Sequence, residues 1–169
     1  MIDGEMSFGR LIISPFNGGR FAYVAKDYVV YWKGMPGLPD SLMTVHRGFI
    51  TDFASVPRFL WGVVPPHFYP HASVLHDWLY SIQWKDSRAL CDLAFRTALI
   101  QLGARPFHWL ACYYGVRLGG GFFWKAKDLS DVEAWRRGPR RDLQFPGDVR
   151  GGPTVRQAHP PLDGIWGRP

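Results

Sequence analysis

"DSRALCDLAFRTALIQLG", residues 86–103, is the stretch that predicts the fold most clearly. Its apolar residues recur every three or four positions, as they do on one face of a helix. These residues are Leu90, Leu93, Ala94, Ala98 and Leu102. Asp86 or Ser87 can cap the amino end, and Gly103 suits the position just beyond the last turn. The stretch therefore predicts a helix with one apolar face.

Helices are also predicted on both sides of this stretch. "HASVLHDWLYSI", residues 71–82, follows Pro70, which is favoured in a first helical turn because its missing N–H is not needed there. "RPFHWLACYYGVRLGGG", residues 105–121, is apolar on most sides and runs into three glycines. A helix that is apolar all round is expected to be buried. We therefore predict three helices, the third of them buried and ended by the glycines.

The first fifty residues have the composition of β-strands. Three stretches are rich in β-branched and aromatic residues: "GRLIIS" (9–14), "RFAYVAKDYVVYW" (20–32) and "SLMTVHRGFIT" (41–51). Proline and glycine punctuate the loops between them. The sequence thus predicts an α+β fold, in which a small N-terminal antiparallel sheet is packed by three helices.

Length and composition limit the class of protein. A chain of 169 residues can form one domain with its own core. An aromatic content of 16 %, with eight Trp, is typical either of a protein that packs against a partner or of an aromatic-rich core. Cys91 and Cys112 both lie in helical apolar segments, which predicts buried thiols in a reducing compartment. The acidic start and the absence of a long apolar run predict no signal peptide, no membrane span and synthesis in the cytoplasm.

The C-terminal part of the sequence has a different character. From Arg136 onward there are seven Arg and three Asp, a local balance of +4, among many Pro and Gly. Such a segment cannot build a core of its own. We therefore divide the chain into a globular domain, 1–125, and a basic extended arm, 126–169. Phe145, Arg150 and Trp166 are the predicted anchors of this arm on a partner.

Four stretches together point to a family. They are "GFITDFASVPR" (48–58), "HASVLHDWLY" (71–80), "SRALCDLAFRTALIQLGA" (87–104) and "YYGVRLGG" (113–120). Together they resemble a domain-of-unknown-function family of tailed bacteriophages, prophages and their bacterial hosts. The family pattern runs G-x-x-T-D-x-A-S-x-P-R, then A-x-x-L-H-D-x-L-Y, then a helical Ala-Asp, then Tyr-x-x-V-R. The matching residues are Thr51, Asp52, Ala54, Ser55, Pro57, Arg58, Ala72, Leu75, His76, Asp77, Leu79, Tyr80 and Asp92, with Tyr114, Val116 and Arg117 fitting approximately.

This resemblance covers about residues 8–121, and Cys91 stands where the family pattern has Ala. It implies a phage origin and a role in the virion. It implies no particular reaction.

The polar residues of these blocks can be interpreted as a catalytic site. His76, Asp77 and Asp52 are the candidate catalytic residues, and His76, Asp77 and Asp92 are the candidate ligands of a divalent metal. One imidazole and several carboxylates suit Zn, Mn or Mg. Water polarised by such a metal could attack an amide or ester, and peptidoglycan would be the target for a phage particle.

The same residues can instead form a network that fixes the fold. In this interpretation Thr51, Ser55, Arg58 and Tyr80 are structural, and Arg58 pairs with Asp77 or Asp52. On its own helix, Asp92 has Arg88 four residues before it and Arg96 four residues after it, so either can form an ion pair with it.

We predict a bacteriophage virion structural protein of the tail or tail tip, which joins other virion proteins through the arm in an oligomeric assembly. One alternative is a metal-dependent peptidoglycan hydrolase carried by the phage. A second is a nucleic-acid-binding head protein, because the formal net charge is +6.

Overall fold

The computed structural model describes residues 4–15, 21–53, 68–125 and 129–137. Six strands precede the helices along the chain. They are β1 (Glu5–Phe8), β2 (Ile13–Pro15), β3 (Ala22–Val24), β4 (Tyr28–Lys33), β5 (Ser41–Val45) and β6 (Ile50–Thr51). Four α-helices follow: α1 (Pro70–Ser81), α2 (Arg88–Gln101), α3 (Pro106–Lys125) and α4 (Leu129–Arg136), with a 3₁₀ turn at Trp84–Asp86. The predicted α+β class is confirmed.

The strands form two antiparallel sheets where the sequence predicts one. The first has the order β1-β4-β5 and the second the order β2-β3-β6. Strand β4 shows why the first sheet has one buried face: Tyr28, Val30 and Trp32 are buried, whereas Val29 and Lys33 are exposed. This alternation follows from the two-residue period of a strand. β1, which the sequence analysis does not predict, covers one edge of β4.

Helix α2 lies between α1 and α3 and agrees with its prediction. The Ser87 side chain accepts a hydrogen bond from the backbone N–H of Leu90, as an N-cap residue does. Gly103 follows the last turn with φ of +77°, a conformation that glycine adopts at little cost. Both ends of this helix are therefore specified by local sequence.

The prediction that the glycines end α3 is wrong. The helix continues through residues 119–121 to Lys125. A Cβ atom on Gly120 would collide with the hydroxyl of Tyr80 from α1, so the missing side chain makes room for that ring. The Tyr80 ring also meets Trp124 edge to face, with ring centres 5.2 Å apart. Packing against α1 thus offsets the low helix propensity of glycine here.

The prediction that α3 is buried is also wrong. Its described buried residues are Cys112, Gly115, Val116 and Gly120. The opposite side, although apolar, is exposed. Helix α3 is therefore apolar on all sides because one face packs on the domain and the other, although apolar, is not covered by any of the described residues.

Helix α4 changes the predicted start of the arm. Trp135 packs against Trp78 of α1 and against Phe49, with ring centres 5.4 and 5.7 Å away. Arg136 donates to the carbonyl oxygens of Ile82 and Gln83. Residues 129–136 are thus a helix on the domain and not an extended arm. Residues 138–169 lie outside the described part of the chain.

Two further expectations can be compared with the structure. Cys91 and Cys112 are buried free thiols, as predicted, and burial raises their pKa values to about 12 and about 11. No helix in the described ranges is both long and apolar enough to cross a membrane.

Candidate functional site

The carboxylate of Asp92 is the centre of a buried polar network between three helices. Its Oδ1 accepts from the Tyr80 hydroxyl at 2.6 Å and from Nε2 of His76 at 3.1 Å. Its Oδ2 accepts from Nη1 of Arg117 at 2.8 Å and from Nη1 of Arg88 at 3.4 Å. Asp92 itself is 0 % exposed. Both oxygens are therefore occupied by donors from α1, α2 and α3.

Helix periodicity places these donors. His76 and Tyr80 are four residues apart on α1, so both project from the same face toward α2. Arg88 and Asp92 have the same spacing on α2. Arg88 also donates to the carbonyl oxygens of Val116 and Arg117, which ties α2 to α3. The network thus crosslinks the helical layer.

The electrostatics of the network favour the ionised form of the Asp92 carboxylate. Burial alone would raise the pKa of Asp92, but hydrogen bonds from His76, Tyr80 and Arg117 together outweigh it and hold the pKa below its usual range. Burial, together with the bond to Asp92, raises the pKa of Tyr80. The same carboxylate raises the pKa of Arg117. Both shifts favour the protonated forms, in which Tyr80 and Arg117 donate to the carboxylate.

A second contact links α1 to the sheet through residues of both motif blocks. Thr51 of β6 donates its hydroxyl to Oδ2 of Asp77 at 2.5 Å. The same hydroxyl accepts from the backbone N–H of Phe53 at 3.1 Å. Phe53 has φ of +55°, which is uncommon for a residue with a side chain. Thr51 and Asp77 therefore hold the chain as it leaves the sheet.

The structure places five of the predicted site residues in these two contacts. His76, Asp92 and Tyr80 share the buried network, and Thr51 and Asp77 share the contact at β6. Asp52 is half-buried and follows Thr51 in the chain. Ser55, Arg58, Phe145, Arg150 and Trp166 lie outside the described residues.

The predicted metal set of His76, Asp77 and Asp92 is not assembled as ligands. Among the described residues, no three His, Cys, Asp or Glu side chains are grouped so that they could hold a metal ion. Both oxygens of Asp92 already accept from protonated groups, two of which are cationic arginines. Displacing these donors would cost their hydrogen bonds, so the arrangement favours a structural role.

Accessibility leads to the same conclusion for His76. The residue is 4 % exposed, and its ring packs on Phe95 and Tyr80 with ring centres 4.7 and 4.3 Å away. A general acid or base must come within hydrogen-bonding distance of its substrate. The burial of His76 therefore also favours a structural role.

Sequence reasoning identified one arginine of the network correctly and missed another. Helical spacing predicted that Arg88 or Arg96 could pair with Asp92, and in the structure Arg88 does so. Arg96, the other, instead lies over the Trp109 ring, 4.6 Å from its centre. Arg117 makes the shorter ion pair with Asp92 across 25 residues of sequence, and its match to the last family block was the only signal for it.

A second feature is an exposed apolar face on α3, which we call the α3 stripe. It consists of Phe107, Leu110, Tyr114, Leu118 and Phe122. Their exposed fractions range from 37 % at Leu110 to 86 % at Leu118. Contiguous apolar patches of this kind are uncommon on monomeric proteins and mark interaction sites. The network lies inside the domain, whereas the stripe faces outward.

Comparison with known proteins gives a family. A family model described as "Protein of unknown function (DUF1353)" matches residues 24–116. Neither the curated proteins nor the solved structures contain a match to the chain. The matched span includes Thr51, His76, Asp77, Tyr80 and Asp92, and ends one residue before Arg117. The chain belongs to the DUF1353 family.

Proposed function

We propose that this member of the DUF1353 family is a structural protein of a bacteriophage particle, in the tail or at its tip, that assembles with other virion proteins. The phage assignment is supported by the resemblance of its motif blocks to a family of tailed phages and prophages. The assembly role is supported by the α3 stripe, the observation that carries the proposal.

The stripe supports an assembly role because its side chains are left exposed in the part of the chain that the structure describes. Leu118 and Phe122 are 86 % and 73 % exposed, and Tyr114 is 58 % exposed. Leaving such side chains in water sacrifices roughly 25 cal/mol per Å² of apolar surface that a partner could bury. Aromatic residues are also enriched at protein interfaces. In an assembly, a neighbouring protein would cover this face of the subunit.

The family's polar residues support the same role by a different route. The donors around Asp92 form hydrogen bonds with its carboxylate, and the bond between Thr51 and Asp77 fixes the end of β6. A rigid domain is what an assembled particle requires of a subunit. The polar motif then builds the scaffold that presents the stripe.

The predicted arm belongs to the same proposal. Phe145, Arg150 and Trp166 would dock on a neighbouring subunit, where aromatic and Arg residues dominate the binding energy. The hydrolase and nucleic-acid alternatives remain predictions, and no contact among the described residues favours either one.

The test is to purify particles from a host that produces the phage encoding this chain. We expect the chain to co-purify with intact particles at a fixed number of copies, and labelled antibodies to bind at the tail. Quantitative mass spectrometry of gradient-purified particles measures the copy number. Finding the chain only in the particle-free lysate would refute the proposal.

A further inference from the structure

We propose that the partner on the α3 stripe is a second copy of this chain, bound by antiparallel pairing of the two α3 helices about a two-fold axis at Tyr114. This inference rests on the assembly role proposed above, since it names the partner for the same surface. It concerns the purified chain alone, so it can fail while the virion role stands.

The stripe is a continuous ridge on one side of the helix. At about 100° per residue, its five residues fall within an arc of about 120°. From Phe107 to Phe122 it is about 22 Å long, at 1.5 Å per residue. The buried residues Cys112 and Val116 lie on the other side, against the domain. A second helix could therefore lie along the whole stripe without disturbing the core.

The order of residues in the stripe is nearly the same read from either end. Leu110 and Leu118 lie four residues before and after Tyr114, and Phe107 and Phe122 lie seven before and eight after it. A two-fold axis at Tyr114 therefore places Leu110 against Leu118 and Phe107 against Phe122. Self-complementarity of this kind is what a symmetric dimer interface requires. Antiparallel pairing also sets the two helix dipoles in opposite directions, which favours it over parallel pairing.

The charges of the helix favour an apolar partner. Between Phe107 and Phe122 the sequence has no Asp, Glu or Lys. The one arginine, Arg117, donates to Asp92 inside the domain. His108 bonds Tyr69. An acidic or basic partner would thus find no opposite charge on the stripe, whereas a second copy presents matching apolar side chains.

The available area is sufficient for a dimer. At the observed exposures, the five side chains present on the order of 600 Å² of apolar surface, since each large aromatic can bury 150–250 Å². A standard interface buries about 800 Å² on each partner, including its polar rim. The stripe alone supplies most of that area.

The first experiment measures the oligomeric state of the full-length chain by light scattering and sedimentation equilibrium. We expect a dimer, and a Kd raised at least about 100-fold by Leu118→Glu, because the two-fold axis would bury two unpaired carboxylates. Leu118 is exposed in the isolated subunit, so its substitution should leave the circular dichroism spectrum unchanged. Leu42→Glu is the matched control, because Leu42 is 70 % exposed on β5, away from the stripe, and this variant should stay dimeric.

The second experiment determines the orientation of the two helices by disulfide trapping. Tyr114→Cys should crosslink to itself under mild oxidation, since a disulfide needs Cα atoms within about 7 Å. Phe107→Cys alone should not crosslink, but mixing it with Phe122→Cys should give the mixed dimer. The native Cys91 and Cys112 are buried and serve as the background.

The contradicting results are equally specific. A monomer at every concentration would overturn the inference and would mean that another protein, or another part of this chain, covers the stripe. A dimer that survives Leu118→Glu, or a self-crosslink of Phe107→Cys, would overturn the proposed arrangement. None of these results bears on whether the chain is found in the particle.

Discussion

At the scale of single residues, Asp92 illustrates how a carboxylate can be buried when both of its oxygens accept hydrogen bonds. A buried carboxylate is costly unless its oxygens are paired and hydrogen-bonded. Here Tyr80 and His76 satisfy one oxygen, and Arg117 and Arg88 satisfy the other. The stability of the helical layer should therefore depend on this one side chain more than on any surface ion pair.

Replacing Asp92 by Asn should lower the free energy of unfolding by about 3 kcal/mol. We expect the lower end of the range for broken buried pairs, because both arginines reach solvent and keep part of their hydration. Urea denaturation at pH 7, followed by circular dichroism, measures the loss. Glu133→Gln is the control, because Glu133 and its partner Arg137 are both exposed, and it should change stability by no more than about 0.5 kcal/mol. An Asp92→Asn protein as stable as the wild type would mean that the network does not hold the fold.

The free energy of unfolding should depend on pH through the titration of Asp92. The pKa of Asp92 is lower in the folded chain than its ordinary value of 3.8. Its stabilising effect is therefore complete above that value and is lost as the pH falls through the lowered folded pKa. The stability gap between wild type and Asp92→Asn should be widest above about pH 5 and should narrow below pH 4. Unfolding free energies measured from pH 2 to 7 test this, and a constant gap would exclude Asp92 as the titrating group.

At the scale of elements, helix α3 is where neighbouring glycines have opposite roles. Gly120 faces Tyr80, whose hydroxyl leaves no room for a Cβ atom. Gly119 has nothing within 4 Å of the position that its Cβ would take. Gly120 is therefore needed for packing, whereas Gly119 only lowers the helix propensity of α3.

Alanine substitutions should separate these two roles. Gly119→Ala should stabilise the protein by about 0.8 kcal/mol, the difference in helix propensity. Gly120→Ala should destabilise it by about 1–2 kcal/mol, because the gain in propensity is outweighed by displacement of Tyr80 from Asp92. Thermal and urea unfolding of the two variants make the comparison. Equal effects of both substitutions would show that Tyr80 can move without cost.

The elements also show which features could be predicted from sequence. Helix α2 was predictable because Ser87, Gly103 and its apolar spacing are local signals. The continuation of α3 through its glycines was not, because it depends on Tyr80, a residue some 40 positions away in the sequence. In the same way, helical spacing offered Arg88 and Arg96 equally as partners for Asp92, and only tertiary packing assigns Arg96 to Trp109.

At the scale of the whole molecule, the helical layer combines a buried polar network with an exposed apolar face. The buried residues His76, Tyr80 and Asp92 form a network that links α1 and α2, and Arg88 and Arg117 extend it to α3. A large apolar ridge lies outside, on α3. The family blocks pointed to His76, Tyr80 and Asp92 as candidate residues but not to the bonds that join them, and the stripe could not be predicted either. An apolar helix face has the same amino-acid composition whether its own domain or a partner covers it, so sequence alone does not distinguish the two cases.

The central claim, that the chain acts through the α3 stripe as an assembly subunit, is tested most directly by counting variant chains in purified phage particles. We predict that Leu118→Glu, which leaves the fold intact, will reduce the number of copies per particle at least tenfold. Leu42→Glu, made at an equally accessible position on β5, should be incorporated at the wild-type level. Incorporation of Leu118→Glu chains at the wild-type level would contradict the account.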